Sequence, residues 1–539
     1  MERISNTLQW NFIDDNRNTK SFYYDVARNP VFLYPLLFFC ILAFLPSITN
    51  TKRQFEDFHM DKYFGSEGVM RTGRWGMYLW AKILGKPGND VLNKAIGLAF
   101  IILSAVLISY IFYLLTRNKQ GVIKYTIAST LFATYPLINE IWSYNVANSL
   151  VCINYFLSTL TVLVFIQWNT SVTKKIAVAS VPATFLASSY EAGVFVYITL
   201  VCGILLILMV YKKISIRQYF LYGIVFAIPL VIGIAVGVTI GKTIAAVTNT
   251  TYLRFGNTGL HWKDSGALKT WLFGNIDRYV LRALVYLPIT IFVISAITFL
   301  IVLVYWIIKN GSVFIIPGII LLLSLFLLSL YQGSFLPYRT AQNITVFITL
   351  VFFIIIELSE NWTKQARTGV ITLAIALCFL QSRYLLNINL LDYQNAHNDE
   401  DLVRQIGYEL TTDYYGKPVL FTGHLYDGEN LYSKSFQKQI TVDTKSINGH
   451  LYDICLKGTT GESAQGKKYH DTNLWSVLFL AVYEEQSMEQ FFSYCGYSID
   501  VLPYGSVIND DLEAKLLIES GKLHTLEFFD MGDYVIVNL

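Results

Sequence analysis

Charge is what this 539-residue chain has least of: Asp, Glu, Lys and Arg make up 15% of it, while 54% is hydrophobic. Soluble proteins carry about a quarter charged residues, so the shortage excludes an ordinary soluble chain and places this one in a membrane. Cysteine is scarce too, six in all, and Cys40, Cys152, Cys202 and Cys378 stand inside apolar runs where they read as small packing groups. That leaves only Cys455 and Cys495 able to form a disulfide. No basic segment followed by a small-residue cleavage site precedes the first apolar run, so that run reads as an uncleaved signal anchor and the mature chain is expected to begin near Met1. No internal repeat relates the two halves, and the C-terminal region has neither a phosphate-binding glycine pattern nor a catalytic-triad spacing.

What the chain does have is a series of apolar runs, recurring from Val31 to Ile388 and then ceasing. Crossing about 30 Å of hydrocarbon takes roughly 20 helical residues. Eleven runs are counted, at about 31–48, 95–116, 122–138, 148–167, 176–189, 193–211, 218–241, 282–308, 313–330, 342–358 and 369–388, the fifth being short. Arg117/Lys119, Lys174/Lys175, Lys212/Lys213/Arg217, Lys309 and Lys364/Arg367 mark every second loop, joined by Arg3, Arg17, Lys20 and Arg28 before the first run. The positive-inside rule makes those loops cytoplasmic, and an odd number of crossings puts the C-terminus outside. The expectation is a polytopic α-helical membrane protein: a cytoplasmic segment 1–28, a transmembrane domain 29–388, and a small extracytoplasmic α/β domain 389–539.

Charge divides sharply between these parts. Residues 389–539 hold 10 Lys+Arg against 23 Asp+Glu, a balance of −13, leaving +16 for the rest. Such an acidic region argues against binding nucleic acid or an anionic bilayer surface, both of which reward Lys and Arg. Within it, DEDLVRQIGYELTTDYY has a helical pattern, KPVLFTG reads as a buried strand, NDDLEAKLLIESG has a helix start and stop, and DYVIVNL reads as a final strand.

Ionisable groups near hydrocarbon depth are costly and usually functional. Here they gather on the external side: Glu56, Asp57, His59, Asp61, Arg71 and Arg74 in the first loop, Glu140 with Trp142 in NEIWSYN, and Glu191 in SSYEAG. Arg254, Trp262, Lys263 and Asp264 follow in the 248–281 loop, and Tyr338 with Arg339 in FLPYRT. A transporter would instead place such groups near the bilayer midplane, between two related halves. An enzyme whose substrates arrive from outside and from the lipid fits the pattern better. The stretch EDFHMD supplies carboxylates able to take a hydroxyl proton, and RTGRWG supplies cations able to stabilise a departing phosphate. Beyond them, GRWGMYLWAKIL spaces Trp75, Leu79, Trp80 and Ile83 as an interfacial amphipathic helix would. Asp57, His59 and Asp61 alternate as metal ligands on an extended segment would, although two carboxylates and one imidazole are a thin basis for a divalent ion.

A carboxylate pair just after the first span, a Gly-Arg dipeptide about sixteen residues on, SSYEAG at the start of run six and the tail MGDYVIVNL together resemble the glucosyltransferase II family of bacterial membrane enzymes that modify O-antigen and other surface polysaccharides. The resemblance implies a GT-C type fold in the bacterial cytoplasmic membrane, with a hexose, typically glucose, moving from an undecaprenyl-phosphate carrier to a surface polysaccharide on the outer side. The resemblance places the catalytic carboxylate at the Glu56-Asp57 pair; the residues themselves favour Asp57 with Asp61 as runner-up, and offer Arg71, Arg74, Glu140, Glu191, Arg254, Tyr338 and Arg339 of the external cluster as substrate-binding. Family members commonly have Asp-Asp where this chain has Glu56-Asp57. No cofactor is required, and the expected partners are the polyprenyl-phosphate-linked donor, the glycan acceptor and the bilayer. Two other classes stay open: a flippase or exporter of lipid-linked sugars, and a non-catalytic scaffold for a polysaccharide complex.

Overall fold

The computed structural model describes residues 18–50, 69, 73–84, 90–116, 121–138, 142, 148–168, 170–211, 213–249, 252, 266–279, 287–333, 340–422, 461–462, 468–469, 485–503, 507, 510–520, 523 and 526–538. A bundle of helices dominates it: α1 (Pro30–Thr49), α2 (Trp75–Leu84), α3 (Asp90–Leu115), α4 (Val122–Ala133), α5 (Asn148–Gln167), α6 (Val172–Ser189), α7 (Ala192–Val210), α8 (Ile216–Val247), α9 (Ala267–Tyr279), α10 (Leu287–Asn310), α11 (Ile315–Ser324), α12 (Asn343–Ser359) and α13 (Lys364–Thr412). Among the described residues seven helices are long and apolar enough to cross a membrane: α1, α3, α5, α7, α8, α10 and the segment Lys364–Leu390 of α13. The other runs fall on shorter apolar helices, around 122–138, 312–324 and 343–359, or on α6, whose 18 residues include Lys174 and Lys175.

Local sequence sets the helix starts. Asn29 accepts a hydrogen bond from the Val31 amide with Pro30 at the first helical position of α1, and Ser215 with Gln218 forms a reciprocal capping box on α8. Interior contacts are close where side chains are smallest. A Cβ on Gly233 of α8 would lie 2.6 Å from the Ala183 carbonyl carbon, so α6 and α8 meet backbone to backbone. In the middle of the bundle Asn343 donates to Ser324 O (2.9 Å) and Thr199 Oγ1 (3.4 Å), pinning α12 to α11 and α7.

The apolar run that begins α13 ends near residue 388, but the helix does not; it continues to Thr412, 49 residues in all. Its last three turns keep a helical apolar spacing, with Val403, Ile406 and Leu410 buried in a second core with Phe421, Phe491, Phe492, Val535 and Val537. A three-stranded sheet lies there, formed by β1 (Val419–Thr422), β2 (Glu527–Asp530) and β3 (Val535–Asn538) in the order β1-β3-β2, with β1 parallel and β2 antiparallel to β3. Period-two alternation divides its faces. Val419, Phe421, Val535 and Val537 meet α13 and α14 (Glu485–Tyr494), while Leu420 and Ile536 meet Ala514 of α15 (Leu512–Glu519), capped by Asp511. Cys495 carries a free thiol, pushed up to about 11 by burial; its only candidate disulfide partner, Cys455, lies outside the described residues.

Candidate functional site

Helix α7 starts after Glu191 and ends at its C-cap Tyr211, so these two residues mark opposite ends of the bundle. At the Glu191 end converge the last turns of α1 and α6, the first turns of α3 and α5, and the ten-residue helix α2. α2 forms because its apolar residues recur on one side. Met77 is buried with Val69, Leu150 and Val151, while Leu79 and Ile83 stay 44% and 63% exposed on the other side, as an interfacial helix requires. Two indoles fix its position: Trp75 Nε1 donates to Gly237 O of α8 at 3.1 Å, and Trp80 Nε1 donates to Ser149 Oγ of α5 at 2.9 Å.

Of the candidate residues, Arg74 and Glu191 are described, and they meet although 117 positions separate them. Arg74 Nη2 donates to Glu191 Oε2 at 3.0 Å and Nε donates to Oε1 at 3.4 Å, a two-point grip, with the guanidinium carbon 5.8 Å from the Tyr190 ring centroid. The side chains are 29% and 33% exposed. An ion pair that accessible contributes about 0.2–1 kcal/mol, so the indole bonds and the buried face, not this pair, hold α2 in place. Around the pair the backbone is braced: Asn154 Nδ2 donates to Tyr190 O (3.4 Å), Ser189 Oγ to Asn154 Oδ1 (2.7 Å) and Ser158 Oγ to Gly193 O (3.1 Å).

Glu56, Asp57, Asp61, Arg71, Glu140, Arg254, Tyr338 and Arg339, with His59, lie outside the described residues. Trp142 is fully buried, its ring 4.3 Å from that of Phe44 and its indole N–H without a hydrogen-bond partner among the described residues. No group of three or more metal-binding side chains occurs among the described residues. In the C-terminal module, Tyr414 stacks on Phe528 at 5.9 Å against the core, and Tyr415 is 84% exposed.

Sequence reasoning missed Lys94. Its ammonium is buried 2% exposed at the same end, donating to Ser47 O (3.2 Å) and Oγ (2.8 Å) in the last turn of α1, where a cation meets the unsatisfied carbonyls of a helix C-terminus. The signal was available: Lys94 stands one residue before the second apolar run, at the edge of hydrocarbon depth. Also unforeseen is a cluster at the far end, where Lys124 Nζ meets Glu357 Oε2 at 2.5 Å and Glu360 Oε1 at 3.3 Å. Chemically, the Glu191 end offers a guanidinium, an aromatic face and a carboxylate beside an interfacial helix, a set suited to binding an anion at the lipid boundary.

Comparison with protein families matches residues 38–356 to the family described as Glucosyl transferase GtrII. The match covers more than half of the chain, takes in every candidate residue, and stops before α13 and the module it leads into. Comparisons with curated proteins and with solved structures gave no match.

Proposed function

The chain belongs to the GtrII glucosyl transferase family, and on that premise we propose that it moves a hexose from a polyprenyl-phosphate carrier to a polysaccharide on the outer side of a bacterial cytoplasmic membrane. It is a membrane glucosyltransferase with a sugar donor and a polysaccharide acceptor; the lipid-linked donor and the outward orientation go beyond the family and are proposed. One observation carries the reading: Arg74 and Glu191, remote in sequence, form a two-point ion pair beside α2, whose Leu79 and Ile83 side chains are exposed as on a helix lying at a bilayer surface. A sugar phosphate anchored in lipid would present its phosphate at that depth, where a guanidinium can grip two oxygens at once.

In this reading Arg74 and Arg339 hold the departing phosphate, and Asp57 takes the proton of the acceptor hydroxyl, with Glu56 and Asp61 beside it in sequence. Arg71, Arg254, Tyr338 and Glu140 complete donor and acceptor contacts. No cofactor is needed, because the phosphate leaving group already activates the sugar. Residues 29–388 form the catalytic part, and the acidic region 389–539 lies outside, where it handles the acceptor. The test is donor affinity: Arg74→Ala should raise the KM for a polyprenyl-phosphate hexose tenfold or more, on the order of one charge-assisted bidentate contact. Arg74→Lys should recover part of it. An unchanged donor KM in Arg74→Ala would move the phosphate site elsewhere.

A further inference from the structure

We propose that Glu191 is the resident occupant of the donor-phosphate site: its carboxylate holds Arg74 until the donor phosphate displaces it, and so denies the site to the phosphates of ordinary phospholipids. The inference rests on the reading of Arg74 as the donor-phosphate residue.

The geometry supports an exchange. Glu191 receives Arg74 through Nε and Nη2, the two N–H groups that a phosphate would take up in the same side-on grip. Both side chains are about one-third exposed, so the pair is open to an incoming ligand and weak enough to yield. Glu191 cannot drift away. It precedes α7 directly, and the turn it stands on is tied to α5 through Asn154 and Ser158, so the carboxylate stays beside Arg74 at a high effective concentration. When it is displaced, the Tyr190 ring still faces the guanidinium.

The location explains the need. Leu79 and Ile83 of α2, the helix that Arg74 directly precedes, are exposed, which on the proposed reading puts Arg74 near the lipid headgroups. An unoccupied arginine there would face phospholipid phosphate at overwhelming excess, and anionic lipid would be held strongest. A competing carboxylate weakens every anion by the same factor, so a phospholipid that offers its phosphate alone no longer fills the site between turnovers, while a donor that adds contacts through its sugar still binds.

Donor KM for wild type and Glu191→Gln, measured in nanodiscs of phosphatidylcholine alone and of phosphatidylcholine with phosphatidylglycerol in equal parts, tests this. Wild type should change little between the two. In phosphatidylcholine, Glu191→Gln should lower the KM about two- to fivefold, the range of one partly exposed ion pair. With phosphatidylglycerol its KM should rise toward the wild-type value, so that the advantage over wild type seen in phosphatidylcholine shrinks. A KM that shifts by the same factor in both lipids, or rises in phosphatidylcholine alone, overturns the proposal. Native mass spectrometry gives a readout independent of turnover: Glu191→Gln should retain more phosphatidylglycerol than wild type, and equal retention counts against the idea. Should Glu191→Gln fold poorly, Glu191→Asp, which draws the charge back by one methylene, should fall between the two, and a wild-type lipid response in it also refutes the exchange. Arg74→Ala separates the layers: an unchanged donor KM there removes the phosphate reading itself, whatever Glu191 does.

Discussion

Replacing Lys124 with methionine is the sharpest test of what holds the bundle together. Its ammonium is 1% exposed and lies between two carboxylates, Glu357 and Glu360, which are 13% and 12% exposed, so the substitution leaves two nearly buried negative charges facing each other without their cation. Tyr211, the C-cap of α7, also hydrogen-bonds Glu357, so the damage spreads to the joint of α4, α7 and α12. Methionine fills similar space; the loss is therefore electrostatic. Breaking a buried pair by removing one partner costs about 3–5 kcal/mol, because the remaining charge keeps its desolvation penalty without the attraction that offset it. Thermal denaturation in detergent, followed by fluorescence-detected size exclusion, should show Lys124→Met melting many degrees below wild type. The triple variant Lys124→Met, Glu357→Gln, Glu360→Gln removes the charges together and should recover most of the loss. A single variant as stable as wild type, or a triple variant worse than the single, would refute the reasoning.

Other consequences follow from particular contacts. Gly233→Ala should destabilise the bundle by more than 1 kcal/mol, since its Cβ would meet immovable backbone of Ala183 on α6; a melting curve unchanged from wild type would contradict the close approach. Asp57→Asn should lower turnover about 10²- to 10⁴-fold with donor affinity retained, and near-normal turnover would pass the base role to Glu56 or Asp61. In the module, Lys417 and then the Gly532 N–H hold the Asp530 carboxyl below its usual range, and the Ala514 N–H, Tyr534 and Glu513 N–H do the same for Asp511. Their folded values lie below the unfolded one of about 3.9, so their stabilisation is complete above that pH and is lost as pH falls through the folded values. Hydrogen-exchange protection of the module, taken relative to the intrinsic amide rate at each pH, should therefore fall on acidification, and Asp511→Asn should blunt the response; an identical acid profile in that variant would contradict it. Cys495, with its thiol raised to about 11, should react slowly with iodoacetamide near neutral pH and rapidly after denaturation.

Much of this architecture is written in the sequence because a membrane leaves few options: each apolar run had to be helix, and each fell on helix where the residues are described. The helical pattern DEDLVRQIGYELTTDYY and the strands in KPVLFTG and DYVIVNL were legible for the same reason, a periodicity matching their burial. Hydropathy failed to show that the last membrane run and the first module helix are one rod. Polar residues from 391 onward end the apolar run without ending the helix, and no Pro or Gly interrupts it before Gly407, which packs against Tyr497. The candidate site was half legible. Polarity at loop positions singled out Arg74 and Glu191 separately, but nothing local could show that a residue before α2 reaches one before α7, because that contact depends on how α2 lies across α5, α6 and α8. Lys94 and Lys124, at the edge of one apolar run and inside another, drew no notice in the sequence because their partners Ser47, Glu357 and Glu360 are remote along the chain.

The central claim is that this membrane glucosyltransferase draws its sugar from a polyprenyl phosphate. The direct measurement reconstitutes the purified chain with a polyprenyl-phosphate hexose radiolabelled in its lipid and with surface glycan from the source cells, and follows free polyprenyl phosphate over time. The account predicts release that requires the glycan and the active protein and that falls sharply in Arg74→Ala. Labelled donor that crosses the bilayer intact, with no polyprenyl phosphate released in the presence of acceptor, would contradict it.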